Sequence, residues 1–132
     1  MVNYYCNKAF TRKEDEVMKV AVVGSRTVTH ISIGEYMPDD VTEIVSGGAK
    51  GIDAIAKQYA EKRKLLYTEF LPDYETFGKY APLHRNDRII NYADEILAFW
   101  DGKSKGTKYV IENAKKQGKR VSIVDTNLIK DY

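Results

Sequence analysis

The chain has 132 residues, of which 43% are hydrophobic and 30% are charged, and its formal net charge is +2. This length predicts one domain with a proper core, and a near-neutral charge neither requires nor excludes nucleic acid. No apolar run reaches the ~20 residues that a membrane-spanning helix needs. The single cysteine, Cys6, excludes an internal disulfide and has no companions that would make a metal site.

The first 16 residues are polar and lack the apolar segment of a signal peptide. We predict that residues 1–16 form an extension that docks or frays, and that residues 17–132 form the domain. A chain without a signal peptide, a membrane span or a disulfide has the reducing cytoplasm as its default location.

Apolar runs alternate with helical patterns along the domain. Strands are predicted over residues 17–23, 43–46, 65–71, 95–100 and 121–124. Helices are predicted over residues 51–64, from Pro82 to about Tyr92, and from Gly106 or Thr107 to Gly118. Residues 27–40 are ambiguous and could hold one short helix ended by Pro38, and residues 73–81 are predicted as a loop.

This alternation predicts a three-layer, Rossmann-like α/β fold with a parallel five-stranded sheet in the order 3-2-1-4-5. In such sheets ligands bind beyond the carboxyl ends of the strands, where the strand order reverses. That point lies between the first and fourth strands. Three polar, glycine-bearing loops, residues 24–26, 46–51 and 100–107, are expected to converge there.

Residues 44–53, IVSGGAKGID, pass from a short β-branched run through three glycines into a helix. Exposed backbone N–H groups at a helix N-terminus form an anion site, although the spacing matches neither G-x-G-x-x-G nor a P-loop. Ser46 could add a hydroxyl donor, and Asp53 could accept from a ribose or complement the helix dipole. The alternative is a tight turn that binds nothing.

The other loops carry cations and hydroxyls. Arg26 could pair with phosphate or be a surface arginine, and Thr107 could contact a second phosphate or simply cap its helix. Arg85 and Asn86, poor core residues, are predicted to contact phosphate or ribose. Aromatic residues near Tyr74 could stack on a base or close the core. The predicted ligand-binding residues are Gly24, Ser25, Arg26, Ser46, Gly47, Gly48, Ala49, Gly51, Asp53, Arg85, Asn86, Gly102, Lys103, Ser104, Gly106 and Thr107.

These motifs resemble the SLOG superfamily, and most closely its YspA-like branch. The matching segments are VGSR at 23–26, IVSGGAKGID at 44–53, RN at 85–86, YAD at 92–94, AFWDG at 98–102 and SKGT at 104–107. The resemblance covers about residues 19–124 in the family's order. It implies a domain that binds nucleotides or nucleotide-derived ligands. Relatives include the LOG-type phosphoribohydrolases, which cut a nucleoside monophosphate into base and ribose phosphate, the DNA-processing protein DprA/Smf, and sensors of NAD-derived signals.

The resemblance to the hydrolases is partial. Their Pro-Gly-Gly-x-Gly-Thr-x-x-Glu becomes WDGKSKGT at 100–107, without the proline and the second paired glycine. Val110 stands where the family has its glutamate, and Glu112 lies two residues on, a rotation of ~200° along a helix. If the chain is an enzyme, the resemblance implies an N-glycosidic hydrolase with Arg85 and Glu112 as candidate catalytic residues. Asp53 or Asp101 could supply the carboxylate instead.

Three functions therefore stay open. The first is a sensor or processing domain that binds a nucleotide or an ADP-ribose- or NAD-like ligand, and it requires no catalytic carboxylate. The alternative is a phosphoribohydrolase-like enzyme, and the second alternative is a DprA-like single-strand nucleic-acid binder, which the near-neutral charge disfavours. The expected partner is a phosphorylated small molecule. No metal, no further cofactor and no membrane partner is expected, and self-association is compatible with all three functions.

Overall fold

The computed structural model describes residues 16–28, 30–48 and 50–129. Within them, five parallel strands form one sheet in the order β3-β2-β1-β4-β5, which confirms the predicted fold and strand order. The strands are β1 (Lys19–Gly24), β2 (Glu43–Ser46), β3 (Leu66–Glu69), β4 (Glu95–Trp100) and β5 (Arg120–Asp125). The predicted extension, Cys6 included, falls almost wholly outside the described residues.

Among the described residues, four α-helices and two short 3-10 helices lie between the strands, and a third 3-10 helix follows β5. The α-helices are α1 (Ile52–Arg63), α2 (Tyr74–Phe77), α3 (Ala81–Tyr92) and α4 (Lys105–Lys116). The 3-10 helices are Ile33–Tyr36, Gly78–Tyr80 and Thr126–Leu128, of which the first is the short helix predicted within residues 27–40. No helix in the described part of the chain is long and apolar enough to cross a membrane.

Alternate strand residues face two separate cores because successive side chains of a strand point to opposite faces of the sheet. One core joins α1 and the Ile33–Tyr36 helix to the sheet, through Val20, Val22, Ile44, Leu97 and Phe99. The other joins α3 and α4 to the opposite face, through Ala21, Val23, Val45, Ile96 and Ala98. The central strands are therefore buried on both faces, as predicted for the first strand.

The prediction missed two short helices after the third strand. Residues 73–81, predicted as a loop, contain α2 and the Gly78–Tyr80 helix. Asp73 caps α2 by accepting a hydrogen bond from the N–H of Thr76 at 3.1 Å. This segment leads the chain from the end of β3 across the carboxyl edge of the sheet, so that the first turns of α3 lie over that edge.

The bounds of three strands also differ, and β5 extends one residue beyond the predicted 121–124 at each end. The first strand begins at Lys19 rather than residue 17, because Val17 is exposed and Met18 donates its N–H to the side chain of Thr42. The third strand ends at Glu69 rather than residue 71, and Leu71 beyond it is exposed. None of these differences moves the loops at the carboxyl edge.

Candidate functional site

A cleft of about 520 Å³ opens at the carboxyl edge of the sheet, between β1 and β4. Small-molecule sites in proteins have volumes of ~300–1,000 Å³. Most of the predicted ligand residues line it: Gly24, Ser25, Arg26, Gly47, Asp53, Arg85, Asn86, Lys103, Ser104, Gly106 and Thr107. The remaining lining is largely apolar and comprises Val23, Pro82, Ile89 and Val110, together with Asp101.

Arg85 crosses the cleft from α3 to the glycine loop after β2. Its Nη1 donates to the carbonyl oxygen of Gly47 at 3.0 Å, and its Nε donates to Oδ1 of Asn86 at 2.9 Å. Burial lowers the pKa of Arg85, and the nearby carboxylate of Asp53 acts in the opposite direction. A guanidinium still carries its full charge at neutral pH. Arg85 is therefore a cation held in place by the glycine loop after β2.

The glycine at position 47 permits this contact. A Cβ at Gly47 would lie 2.6 Å from Nη1 of Arg85, so the guanidinium would have to shift to admit a side chain there. The space beside this glycine is therefore filled by the protein's own guanidinium. Asp53, in the first turn of α1, is almost fully buried and lines the same side of the cleft. This wall carries a cation and a carboxylate together.

Some predicted residues do not line the cleft. Ser46 is fully buried, and its Oγ lies 2.6 Å from the hydroxyl oxygen of Tyr67. Gly48 and Gly102 are exposed outside the lining, and Gly51 is the N-cap of α1. Ala49 lies outside the described residues.

The opposite wall is the N-terminus of α4. Oδ1 of Asp101 accepts hydrogen bonds from the N–H groups of Lys103 and Ser104, both at 2.8 Å, and shapes the preceding loop. The first N–H groups of a helix have no acceptor within the helix. A Cβ at Gly106 would meet no heavy atom of the described residues within 4 Å, so the backbone there is open. Lys103 and the hydroxyls of Ser104 and Thr107 complete this wall.

The carboxylate of Asp101 holds the loop after β4 in shape. Hydrogen bonds from the N–H of Ser104, and then of Lys103, lower the pKa of its carboxyl group. Its second oxygen lies 3.5 Å from Oγ of Ser25, which ties the loop after β4 to the loop after β1. Trp100 adds a further tie, because its indole Nε1 donates to the carbonyl oxygen of Ser104 at 3.0 Å.

The two candidate positions for a carboxylate on α4 have different environments. Val110 lines the cleft and is 2% exposed, whereas Glu112 is exposed and does not line it. The carboxylates that do line the cleft are Asp53 and Asp101. No cluster of His, Cys, Asp and Glu that could hold a metal occurs among the described residues.

The residues behind the glycine loop were not predicted from the sequence. Tyr67 and Glu69 of β3 hydrogen bond to each other at 2.9 Å, and Tyr67 also bonds to Ser46. Their i, i+2 spacing, which puts both side chains on one face of the strand, was the available signal. Phe70 follows them, and its carbonyl oxygen lies 3.5 Å from Nη1 of Arg85.

No protein-family model matches the chain, and no solved structure matches it. Among curated proteins, the "Gene 61 protein" of Mycobacterium phage D29 is 36% identical over 113 residues. The match spans 76% of this chain and 90% of the phage protein. That name specifies neither a ligand nor a reaction.

Proposed function

Because the chain belongs to the same family as the Gene 61 protein of Mycobacterium phage D29, whose name states no activity, we propose a function from the chain's own cleft. It binds a nucleotide or a nucleotide-derived ligand of the ADP-ribose or NAD type, as a sensor or processing domain. The observation that carries this proposal is the cleft at the strand-order reversal, to which each of the three glycine-bearing loops contributes lining residues. The resemblance to the SLOG superfamily supports the same ligand class.

The phosphate is best accommodated at the N-terminus of α4. An anion there meets the positive end of the helix dipole, the open backbone at Gly106 and the ammonium group of Lys103. Hydroxyl donors of Ser104 and Thr107 lie on the same wall. This wall has both the charge and the space that a phosphate requires.

The opposite wall suits the sugar hydroxyls of the ligand. The carboxylate of Asp53 would repel a phosphate but accepts hydrogen bonds from hydroxyl groups, and Arg85 donates beside it. The motif at residues 44–53 predicted an anion at the glycine loop. We prefer the α4 wall, because Arg85 fills the space beside Gly47, whereas the space beside Gly106 is open.

The cleft favours binding over hydrolysis. The position of the family's glutamate is the apolar Val110, and Glu112 is exposed outside the lining. Asp53 and Asp101 line the cleft and are the candidate carboxylates for a phosphoribohydrolase, and Asp101 already accepts two backbone hydrogen bonds. Cleavage of a nucleoside monophosphate therefore remains the alternative function.

Single-strand nucleic-acid binding is the weaker alternative. A binder of that kind presents a basic groove that follows several phosphates. Here Arg26, Arg85 and Lys103 share one cleft with Asp53 and Asp101, so its charge is nearly balanced. A phosphorylated small molecule is the partner we propose, with the reducing cytoplasm as the expected location.

The test measures ligand binding by the whole chain. The two signals are the melting temperature and the fluorescence of Trp100, the chain's single tryptophan. Probes are AMP, ADP-ribose and inorganic phosphate. A probe at 100 times its dissociation constant adds ~2.7 kcal/mol to the stability of the native state. We expect AMP or ADP-ribose to raise the melting temperature and change the Trp100 emission, because Trp100 contacts the α4 loop.

Two variants identify the site. Arg85→Ala should weaken AMP binding, whereas Arg88→Ala should not, because the Arg88 guanidinium lies 4.6 Å over the ring of Phe70 and outside the lining. If no nucleotide probe changes either signal, the proposal is wrong. Release of adenine from AMP would favour the hydrolase, and binding of an oligonucleotide with a steep salt dependence would favour the nucleic-acid binder.

A further inference from the structure

A chain of hydroxyl groups lies behind the glycine loop, on the side away from the cleft. Oγ of Ser46 is 2.6 Å from the hydroxyl oxygen of Tyr67, which donates to Oε1 of Glu69 at 2.9 Å. The N–H of Gly48 points at Oγ of Ser46 at 3.4 Å. These contacts connect the end of β3 to the turn that follows β2.

The direction of the hydrogen bonds in this chain of hydroxyl groups follows because each hydroxyl has only one proton to donate. Because the hydroxyl of Tyr67 donates to the carboxylate of Glu69, its oxygen accepts a hydrogen bond from the hydroxyl of Ser46. The oxygen of Ser46 is then free to accept from the N–H of Gly48. Burial, with smaller effects of its neighbours, raises the pKa of Tyr67 to about 12, so this donor stays protonated over the physiological range.

The same turn positions the guanidinium of Arg85. Gly47 lies between Ser46 and Gly48, which the chain of hydroxyl groups holds. Its carbonyl oxygen accepts a hydrogen bond from Nη1 of Arg85 at 3.0 Å. The N–H of Phe70 donates to the carbonyl oxygen of Ser46 at 2.9 Å, which joins the ends of β2 and β3 on either side of this contact. A change in the turn would therefore move the acceptor that orients Arg85.

We propose that Tyr67 is a positioning residue that acts through the Ser46–Gly48 turn to orient Arg85 for the sugar–base part of the ligand. The inference rests on the proposed function, because it assumes that Arg85 contacts a bound nucleotide. Tyr67 itself does not line the cleft. Its effect should therefore reach ligands that contact Arg85 and should spare a bare anion at the α4 wall.

The test compares two tyrosine hydroxyls, each bonded to a glutamate, at opposite ends of the sheet. Tyr67→Phe removes the hydroxyl at the carboxyl edge, and Tyr92→Phe removes the one that donates to Oε2 of Glu43 at 2.6 Å, where β2 begins. We expect Tyr67→Phe to lower AMP affinity about tenfold, the effect of one well-placed hydrogen bond. The affinity for inorganic phosphate should be unchanged, and Tyr92→Phe should leave both affinities unchanged.

A double-mutant cycle with Arg85→Ala separates positioning from a general structural effect. If Tyr67 acts through Arg85, Tyr67→Phe causes no further loss of AMP affinity once Arg85 is alanine. Ser46→Ala removes the middle of the chain without changing a ring, and should give the same loss if Tyr67→Phe fails to fold.

Three outcomes would overturn the inference alone: unchanged AMP affinity in Tyr67→Phe, an equal loss for AMP and phosphate, or additive losses in the cycle. A wild-type chain that binds no nucleotide probe would instead overturn the proposed function, and the inference with it.

Discussion

The guanidinium of Arg85 occupies the space that a side chain at Gly47 would need. Nη1 donates to the carbonyl oxygen of Gly47 at 3.0 Å and would lie only 2.6 Å from a Cβ at that position. The two residues are 38 positions apart in the chain. This contact joins α3 to the turn after β2, and so defines one wall of the cleft.

The first prediction concerns Gly47→Ala. The added methyl group meets Nη1 of Arg85, the flexible end of a side chain that can shift aside. We therefore expect a loss of no more than ~1 kcal/mol in the free energy of unfolding, about the net value of the hydrogen bond to Gly47. AMP affinity should fall to the level of Arg85→Ala, because the guanidinium is displaced. Chemical denaturation and AMP titration measure the two effects.

The close contact also predicts a suppressor. In an Arg85→Ala background the space beside Gly47 is empty, so Gly47→Ala should be tolerated there. An equal loss of stability in both backgrounds would show that Arg85 is not the obstacle.

The second prediction concerns Gly106→Ala, at the start of α4. Alanine is the better helix former by up to ~1 kcal/mol, and the position is open among the described residues. The melting temperature should therefore stay the same or rise. The affinity for inorganic phosphate and AMP should fall about fivefold or more, because the methyl group covers the backbone that we assign to the phosphate.

Adenosine is the control ligand for Gly106→Ala because it lacks the phosphate. Any adenosine affinity should be unaffected by the substitution. Unchanged phosphate affinity, or equal losses for AMP and adenosine, would contradict the assignment of this wall.

The third prediction is a pH dependence of the α4 loop. Hydrogen bonds from Ser104 and Lys103 lower the pKa of Asp101 below its ordinary value of 3.8. A carboxyl group with a lowered folded-state pKa contributes stability that is present above its unfolded pKa and lost as the pH falls through the folded value. The contribution should therefore be constant from pH 5 to 8 and decline below about pH 4.

Trp100 fluorescence measures this transition, because its indole contacts Ser104 within the loop. In Asp101→Asn the amide oxygen accepts the same hydrogen bonds but does not titrate, so the loop transition should disappear. Far-UV circular dichroism separates it from global acid unfolding. A transition that is identical in the variant would exclude Asp101 as its origin.

The fourth prediction concerns Val110, which holds the place of the family's glutamate. The side chain is 2% exposed, so Val110→Glu should bury a carboxyl group and raise its pKa. A group with a raised folded-state pKa loses stability as it ionises, so the deficit should grow as the pH rises above ~4.3, the usual value for a glutamate. We expect an additional ~1–3 kcal/mol of destabilisation at pH 7.

Val110→Gln is the matched neutral control, and its deficit should not change with pH. The difference in melting temperature between the two variants, measured at pH 5 and at pH 8, isolates the charge. If the difference is the same at both values, the position is solvated and could accommodate an ionised catalytic carboxylate.

The strands and the glycine-rich loops at their ends could be predicted from the sequence, because apolar runs and glycine-rich turns are local patterns. The strand order, and with it the edge at which the loops meet, followed from the alternation of strands and helices. Helical rotation of 100° per residue predicted that positions 110 and 112 face different ways, and the structure shows that Val110 is the one that lines the cleft. The two helices within residues 73–81 were missed because both are short and are stabilised by a single side-chain cap at Asp73.

The groups that surround the predicted anion-binding positions could be identified only from the tertiary structure. Ser46 turns to Tyr67, Gly47 makes room for Arg85, and Gly106 is left open to the cleft. These outcomes depend on contacts between residues far apart in the chain, whose distances are set by the packing of helices on the sheet. The glycine-rich turn after β2 had the features of an anion site, and packing instead placed the protein's own guanidinium beside it.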